Sequence, residues 1–153
     1  MIWLDADACP VVLREMLFRA AERTKTNLQL VANHRLPVPK SAFMRAIQVE
    51  QGFDVADHHI SSAICAGDLL ISNDIPLAAA VIAKGAVCLT TKGQLLDSQN
   101  ISERLVVRDL ADELRGSGVQ MRGPAPLSQA DKQQFANQLD RYLQRVSQNS
   151  GGR

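Results

Sequence analysis

The sequence predicts a three-layer α/β fold, with a mostly parallel sheet of about five strands and helices on both faces. Short apolar runs alternate with longer stretches in which apolar residues recur at helical spacing. Acidic residues follow several of these runs, as expected where the carboxyl ends of parallel strands meet at one edge of a sheet. The length of 153 residues suits one domain, which we place at residues 1–146, with a flexible tail at 147–153.

The predicted strands are short apolar runs bounded by turn residues or by the start of a helix. They are Ile2–Leu4, Leu28–Ala32, Ala46–Glu50, Leu69–Ser72 and Ala86–Thr90. Because helical stretches separate most of them, right-handed crossovers should place the carboxyl ends of the strands together.

The predicted helices are marked by apolar stripes and by residues that favour helix ends. Pro10 suits the first turn of the first helix, and Gly85 follows the third. Ser128 and Asp131 have the spacing of a capping box, with Asp where Glu or Gln is preferred. The helices are the stretch from Pro10 to Ala21, Ala56–Ala66, Leu77–Lys84, Ile101–Ser117 and the stretch that opens at Ser128, with a connector over Gly123–Pro126.

The composition excludes several classes of protein. A net charge of +1 gives no global basic field of the kind that many nucleic-acid-binding proteins carry, although a local basic patch stays possible. Cys9, Cys65 and Cys88 lack metal-binding spacing, and an odd number of cysteines argues against a disulfide framework. No apolar run is long enough to span a bilayer, and the N-terminus does not look like a signal peptide. We therefore expect a cytoplasmic protein that makes no contact with a membrane.

Four acidic residues form the candidate site. Asp5 and Asp7 follow the first strand, Asp74 follows the fourth, and Asp57 lies in the first turn of the helix after the third. Grouped carboxylates repel one another unless a cation or a proton lies between them. We therefore predict that these four residues bind Mg²⁺ or Mn²⁺. Helix capping, or a favourable interaction with a helix dipole, is the structural alternative for each acid.

Asp68 and the two adjacent histidines are contrasting cases. Asp68 precedes the fourth strand, and a four-residue strand spans roughly 13 Å at about 3.3 Å per residue. It should therefore lie at the opposite edge of the sheet, in a turn or as a cap. His58 and His59 are neighbours on a helix, so at most one of them can share a face with the acids.

A basic rim is predicted beside the acids. Asn33, His34 and Arg35 follow the second strand, and Lys92 follows the fifth, so all four should lie at the same edge. They are candidates for binding the phosphates of a substrate. The alternative is ordinary solvated charge on loops.

Several long sequence blocks resemble the YaiI/YqxD family over almost the whole chain. The blocks are Ile-Trp-Leu-Asp-Ala-Asp-Ala-Cys-Pro at 2–10, Val-Ala-Asn-His at 31–34, Gly-Phe-Asp-Val-Ala-Asp at 52–57, Gly-Asp-Leu-Leu-Ile-Ser-Asn-Asp-Ile-Pro-Leu-Ala at 67–78, Arg-Asp-Leu-Ala-Asp-Glu-Leu-Arg at 108–115 and Gly-Pro-Ala-Pro-Leu-Ser-Gln-Ala-Asp at 123–131.

This resemblance implies a PIN-like domain, in which acids at the carboxyl edge of a parallel sheet serve a metal-dependent nuclease. Asp5 then looks like the first acid, Asp57 like the acid at a helix start, and Asp74 like the acid after a later strand. The chain departs from the family pattern at Thr91-Lys92-Gly93-Gln94, where relatives have a Pro-Arg-Gly-Glu type of turn, so Gln94 replaces an acid.

Three functions remain open on the sequence. The first is a Mg²⁺- or Mn²⁺-dependent phosphodiesterase acting on RNA or another nucleic acid, with Asp5, Asp57 and Asp74 as catalytic residues. The second is a phosphatase of the haloacid dehalogenase type, with Asp5 as nucleophile and Asp7 as general acid. In that class a Gly-Asp pair should follow a strand, whereas Gly67-Asp68 precedes one. The third is a non-catalytic module that binds RNA or a protein.

Overall fold

A computed structural model describes residues 1–52, 54–116 and 126–151 and confirms the three-layer α/β architecture. The strands are β1 (Ile2–Asp5), β2 (Leu28–Ala32), β3 (Met44–Gln48), β4 (Leu69–Ile71), β5 (Val87–Leu89) and β6 (Leu95–Leu96). The helices are α1 (Val11–Thr24), α2 (Val55–Ala63), α3 (Ile75–Ala83), α4 (Ile101–Gly116) and α5 (Gln129–Gly151), and a short 3₁₀ turn spans Ala6–Ala8.

The strands of the described residues form one sheet in the order β3-β2-β1-β4-β5-β6. All neighbours pair in parallel except β6, which runs antiparallel to β5. The chain begins in the middle of the sheet at β1, builds outward to β3, and then crosses back to β4 on the other side of β1. The strand order therefore reverses between β1 and β4, and this crevice is where ligands bind in open α/β sheets.

The two faces of the sheet bury separate apolar cores because alternate strand residues point to opposite sides. On one face, Ile2 and Leu4 pack with residues of α1 and α5, among which Phe135 is fully buried. On the other face, Trp3 packs with residues of α2 and α3. Both strands that flank the crevice are thus fixed from above and below, which gives the residues at their ends a rigid base.

Several predicted boundaries need correction. β3 lies two residues earlier than predicted, at Met44–Gln48 rather than 46–50, because it follows the register of β2. α2 ends at Ala63 rather than Ala66, and Gly67 lies beyond it in a turn with φ of +87°. Ser128 and Asp131 make the reciprocal hydrogen bonds of the predicted capping box, each 3.0 Å long. The helical assignment of α5 runs to Gly151, into the segment predicted as a tail.

The sixth strand was not predicted. Gly93 has φ of +86° in the hairpin between β5 and β6, and a Cβ atom there would lie 2.5 Å from the backbone nitrogen of Phe135. A glycine is therefore required for both its conformation and its lack of a side chain. Residues 117 and 123–125, which belong to the predicted end of α4 and the predicted connector, lie outside the described residues. No helix in the described ranges is both long and apolar enough to cross a membrane.

Candidate acidic site

Ser72 joins the two strands that flank the crevice. Its hydroxyl Oγ donates a hydrogen bond of 3.1 Å to Asp5 Oδ2 and accepts one of 3.0 Å from the backbone N–H of Asp74. Ser72 itself is buried, with 3% of its surface exposed. The end of β1 and the loop after β4 are therefore held together by one buried side chain, which brings Asp5 and Asp74 to the same place.

Asp74 caps helix α3, as the structural alternative predicted. Its Oδ1 accepts a hydrogen bond of 3.0 Å from the N–H of Leu77. The cap uses one carboxylate oxygen, so the second remains for another contact. The preceding residue, Asn73, makes hydrogen bonds of 2.9 Å and 2.8 Å with the backbone and hydroxyl of Thr91, which fix the loop after β4 against the loop after β5.

Asp57 lies in the first turn of α2 and faces Asp74. Burial and the adjacent carboxylate of Asp74, with smaller effects of Asp5 and Asp54, raise the pKa of Asp57 from its ordinary value of 3.8 to about 7. The physical cause is that two carboxylates in contact cannot both keep their charge without a shared proton or a cation. Asp57 therefore holds its proton at a higher pH than an isolated aspartate does.

Asp5 belongs to the same electrostatic group. Burial raises the pKa of Asp5, the hydrogen bond from Ser72 opposes this effect, and the charges of Asp7 and Asp74 raise it further. Within the described part of the chain, no Lys, Arg or His forms an ion pair with Asp5, Asp57 or Asp74. The structure therefore brings three of the four predicted acids together without a cationic side chain paired to them among the described residues.

The acids offer oxygen ligands of the kind that Mg²⁺ prefers, but they do not form a closed cage. Among the described residues, no three His, Cys, Asp or Glu side chains are already arranged to hold a metal ion. Mg²⁺ usually keeps several waters and binds proteins through only one or two carboxylates. The Asp57–Asp74 pair supplies that number of carboxylates, and the raised pKa of Asp57 shows that the two charges repel each other.

Asp7 has different partners from the other three acids. Its carboxylate accepts a hydrogen bond of 3.0 Å from the backbone N–H of Asn33 and lies 2.9 Å from His34 Nδ1. The sequence placed Asp7 with the metal ligands and His34 with the substrate-binding residues, whereas the structure pairs them with each other. A metal role for Asp7 stays a prediction, and it competes with these contacts.

The remaining predicted residues lie on loops at the same edge. Arg35 follows His34, and Lys92 follows Thr91, and both side chains are exposed. His58 is exposed beside Asp57, while the ring of His59 packs near Trp3, with centroids 6.3 Å apart. One histidine at most therefore borders the acids, as predicted.

Burial argues against a reactive role for two of the cysteines. It raises the pKa of Cys9 and of Cys88 to about 12, so both stay thiols at neutral pH.

An open groove of about 540 Å³ leads from the acids between α2 and α3. It is bordered by Asp54, Asp57, His58, Ser61, Asp74, Pro76, Leu77 and Ala80. Asp57 and Asp74 therefore face a wide, solvent-accessible cleft rather than an enclosed pocket.

Asp68 lies at the opposite edge of the sheet, as predicted. Its carboxylate accepts hydrogen bonds from Trp3 Nε1 at 3.2 Å and from the N–H of Cys65 at 2.9 Å, and it pairs with the N-terminal ammonium of Met1 at 3.4 Å. These three partners give Asp68 a structural role.

The sequence did not predict the contact between Thr91 and Asn73 or the bridging role of Ser72. Ser72 and Asn73 were visible as polar residues that end an apolar strand, and Thr90-Thr91 end the next one. Polar residues at the ends of adjacent parallel strands are the only signal for such contacts, and that signal does not specify the partners.

Comparison with known proteins places this chain in a family. A family model described as "Uncharacterized BCR, YaiI/YqxD family" matches residues 3–145. The chain belongs to the YaiI/YqxD family. The resemblance seen in the sequence blocks is thereby confirmed.

Relatives cover nearly the full length of this YaiI/YqxD protein. A UPF0178 protein of Shewanella amazonensis is 56% identical over 145 residues, which are 95% of this chain and 97% of the relative. A UPF0178 protein of Klebsiella pneumoniae is 55% identical over 150 residues, which are 98% of this chain and 99% of the relative. One from Thioalkalivibrio sulfidiphilus is 57% identical over 142 residues, which are 93% and 97% of the two chains. The comparison with solved structures found no match.

Proposed function

We propose that this YaiI/YqxD protein is a Mg²⁺- or Mn²⁺-dependent phosphodiesterase that hydrolyses RNA or another nucleic acid. The observation that carries the proposal is the group of Asp5, Asp57 and Asp74 at the crevice between β1 and β4. The pKa of Asp57 is raised to about 7, and no cationic group among the described residues forms an ion pair with any of the three acids. The resemblance to PIN-like domains supports the same chemistry by analogy.

Asp57 and Asp74 are the residues that would hold the ion, with Asp5 next to them. When bound, a divalent ion supplies activation of water for attack on the phosphate and stabilisation of the leaving oxygen. Asp57 contributes a carboxyl group that can hold or release a proton near neutral pH, because its pKa is about 7. Ser72 fixes Asp5 and the Asp74 backbone, so these acids need not reorganise when a ligand arrives.

The loops at the same edge would orient the substrate. Arg35, after β2, and Lys92, after β5, carry exposed positive charge, and Asn33 and His34 lie beside Arg35 and contact Asp7. Positive side chains at this rim offset the repulsion between the acids and the phosphates of a nucleic acid. The open groove accommodates an extended chain better than a small ester that must be enclosed.

The test is cleavage of a 5′-labelled single-stranded RNA with Mn²⁺, with Mg²⁺ and with EDTA. We expect cleavage with either metal and none with EDTA. Asp57→Asn and Asp74→Asn should each lower the rate by at least about 100-fold, since even residues that only orient metal ligands cost 10- to 100-fold. Asp140→Asn is the matched control, because Asp140 forms an exposed ion pair with Arg23 on α1 and α5.

Two results would direct attention to the alternatives. Metal binding and RNA binding without cleavage would indicate a non-catalytic binding module. Hydrolysis of a small phosphate ester that depends on Asp5 and forms an aspartyl-phosphate would indicate the phosphatase. In that case Asp7 would have to leave Asn33 and His34 to act as the acid.

A further inference from the structure

A second cavity lies beside the acidic site, at the outer end of the sheet. β3 is an edge strand, and of its five residues only Met44 is buried. Ala46 and Gln48 pair in register with Leu30 and Ala32 of β2, so these four side chains lie on the same face of the sheet. The loop after β2 passes over this face at Leu36, and a cavity of about 210 Å³ remains between the loop and the strands.

The cavity has an apolar floor and a polar border. Leu30, Ala32 and Leu36 give it an apolar floor, and all three are buried. His34 and Arg35 border it from the loop, and Gln48 borders it from the end of β3. An imidazole ring and a guanidinium group are flat surfaces on which unstacked RNA bases rest, and a glutamine amide can donate to and accept from the edge of a base.

The cavity is connected to the acids through a short chain of contacts. His34 Nδ1 lies 2.9 Å from Asp7 Oδ1, and Asp7 lies in the short 3₁₀ turn that directly follows Asp5 at the end of β1. Gln48 lies at the carboxyl end of β3, which is the edge of the sheet that also carries the acids. A nucleotide next to a phosphate held at the acids would therefore find the cavity within reach.

We propose that this cavity, between the His34–Leu36 loop and β3, binds a nucleobase of a single-stranded RNA. The inference rests on the proposed function for the identity of the ligand, but it concerns binding and base preference rather than catalysis. Apolar burial and the flat faces of His34 and Arg35 hold the base, and Gln48 selects among bases through its amide. The positive charge of Arg35 also attracts the phosphate attached to that base.

The test compares RNA hexamers that differ in their bases. Fluorescence anisotropy in EDTA measures the affinity for hexamers of oligo(A), oligo(C) and oligo(U), and for an abasic hexamer with the same sugar-phosphate backbone. We expect wild type to bind at least one base-containing hexamer about tenfold or more tightly than the abasic one, which is the effect expected of one stacked base. Wild type should also bind oligo(A), oligo(C) and oligo(U) with different affinities, because the Gln48 amide discriminates among their bases.

Two variants locate the effect in the cavity. Ala46→Phe fills the cavity, so base-containing hexamers should bind no more tightly than the abasic one. The salt-dependent part of the affinity, which comes from the phosphates, should be unchanged. Gln48→Ala should reduce the preference among bases and leave most of the affinity. Ala130→Phe, at an exposed position in the first turn of α5, and Gln99→Ala, in an exposed turn, are the matched controls and should behave like wild type. Circular dichroism and a melting curve establish that Ala46→Phe is folded.

The outcomes separate this proposal from the proposed function. RNA cleavage with Mn²⁺ but equal affinity for abasic and base-containing hexamers would overturn the nucleobase site and leave the nuclease standing. A base preference that Ala46→Phe removes, without cleavage, would support the site and count against the nuclease. If Ala46→Phe does not fold, an unchanged base preference in Gln48→Ala overturns the proposal and a lost preference supports it. Wild type that binds none of the hexamers in EDTA overturns the nucleobase site, and the cleavage assay with Mn²⁺ then decides the nuclease separately.

Discussion

The two ends of strand β4 carry the same type of residue in opposite circumstances. Asp68 precedes the strand and is partnered by Trp3, Cys65 and the N-terminal ammonium. Asp74 follows the strand and faces another carboxylate, Asp57, whose pKa it helps to raise to about 7. The first arrangement balances the charge of Asp68 within the protein, and the second leaves Asp57 and Asp74 without a cationic partner among the described residues. The comparison shows that partners, rather than residue type, decide whether an aspartate in this fold has its charge balanced within the protein.

Replacing Asp68 should cause the largest loss of stability. Asp68→Ala removes the acceptor of two hydrogen bonds and the partner of the N-terminal ammonium. We expect a loss of about 2–4 kcal/mol in the free energy of unfolding, measured with urea, because partly buried donors lose a charged acceptor. The stabilisation by Mn²⁺ should be unchanged. If Asp68→Ala left the free energy of unfolding nearly unchanged, the contacts of Asp68 at the edge where β4 begins would not have the structural role described.

Ser72→Ala should cause a smaller loss at the other end of the strand. The change removes the donor to Asp5 and leaves the N–H of Asp74 without its acceptor, at a cost of about 1–3 kcal/mol. Ser62→Ala, on the exposed face of α2, should lie within about 0.5 kcal/mol of wild type in the same urea titration. Equal effects in the two variants would show that Ser72 does not join the strands as described.

The acidic edge should also make stability depend on pH in the absence of metal. The folded-state pKa of Asp57 is about 7 and its ordinary value is 3.8, so the folded protein binds more protons than the unfolded chain between these values. The contribution of Asp57 is therefore fully present below about pH 4 and is lost as pH rises through about 7. Melting temperatures in EDTA should show this decline, and Asp57→Asn should reduce it. A decline of the same size in Asp57→Asn would assign it to other groups.

The smallest effects are expected at the basic rim. Lys92→Ala should weaken binding to single-stranded RNA several-fold for all sequences alike, and Arg35→Ala should do the same and also reduce the advantage of base-containing over abasic RNA. Each variant should lower the slope of log affinity against log salt by about 1. Arg141→Ala is the control, because the adjacent Tyr142 contacts Gly67 at the opposite edge. Its salt slope should equal that of wild type. A slope that falls equally in all three variants would place the nucleic acid elsewhere.

The sequence predicted the fold and the position of the acids because both follow from periodicity and connectivity. Alternating strands and helices determine a parallel sheet, and a parallel sheet determines which ends converge, so Asp5, Asp57 and Asp74 were expected on one edge and Asp68 on the other. The details that depend on contacts between distant side chains were not predictable. No periodicity in the sequence indicates three such contacts: the pairing of Asp7 with His34, the bridge made by Ser72 and the contact of Asn73 with Thr91. Strand β6 was not predicted because its two residues are too few to show the alternation of a strand.

The most direct test of the account is a calorimetric titration of the protein with Mn²⁺. Wild type and Asp140→Asn should bind the ion with the same affinity and release protons near pH 7, because the proton held on Asp57 is displaced. Asp57→Asn and Asp74→Asn should remain folded and bind at least about tenfold more weakly, since each loses one ligand charge. If wild type does not bind Mn²⁺, or if these two variants bind it as well as wild type does, the carboxyl edge is not a metal site and the central claim is wrong.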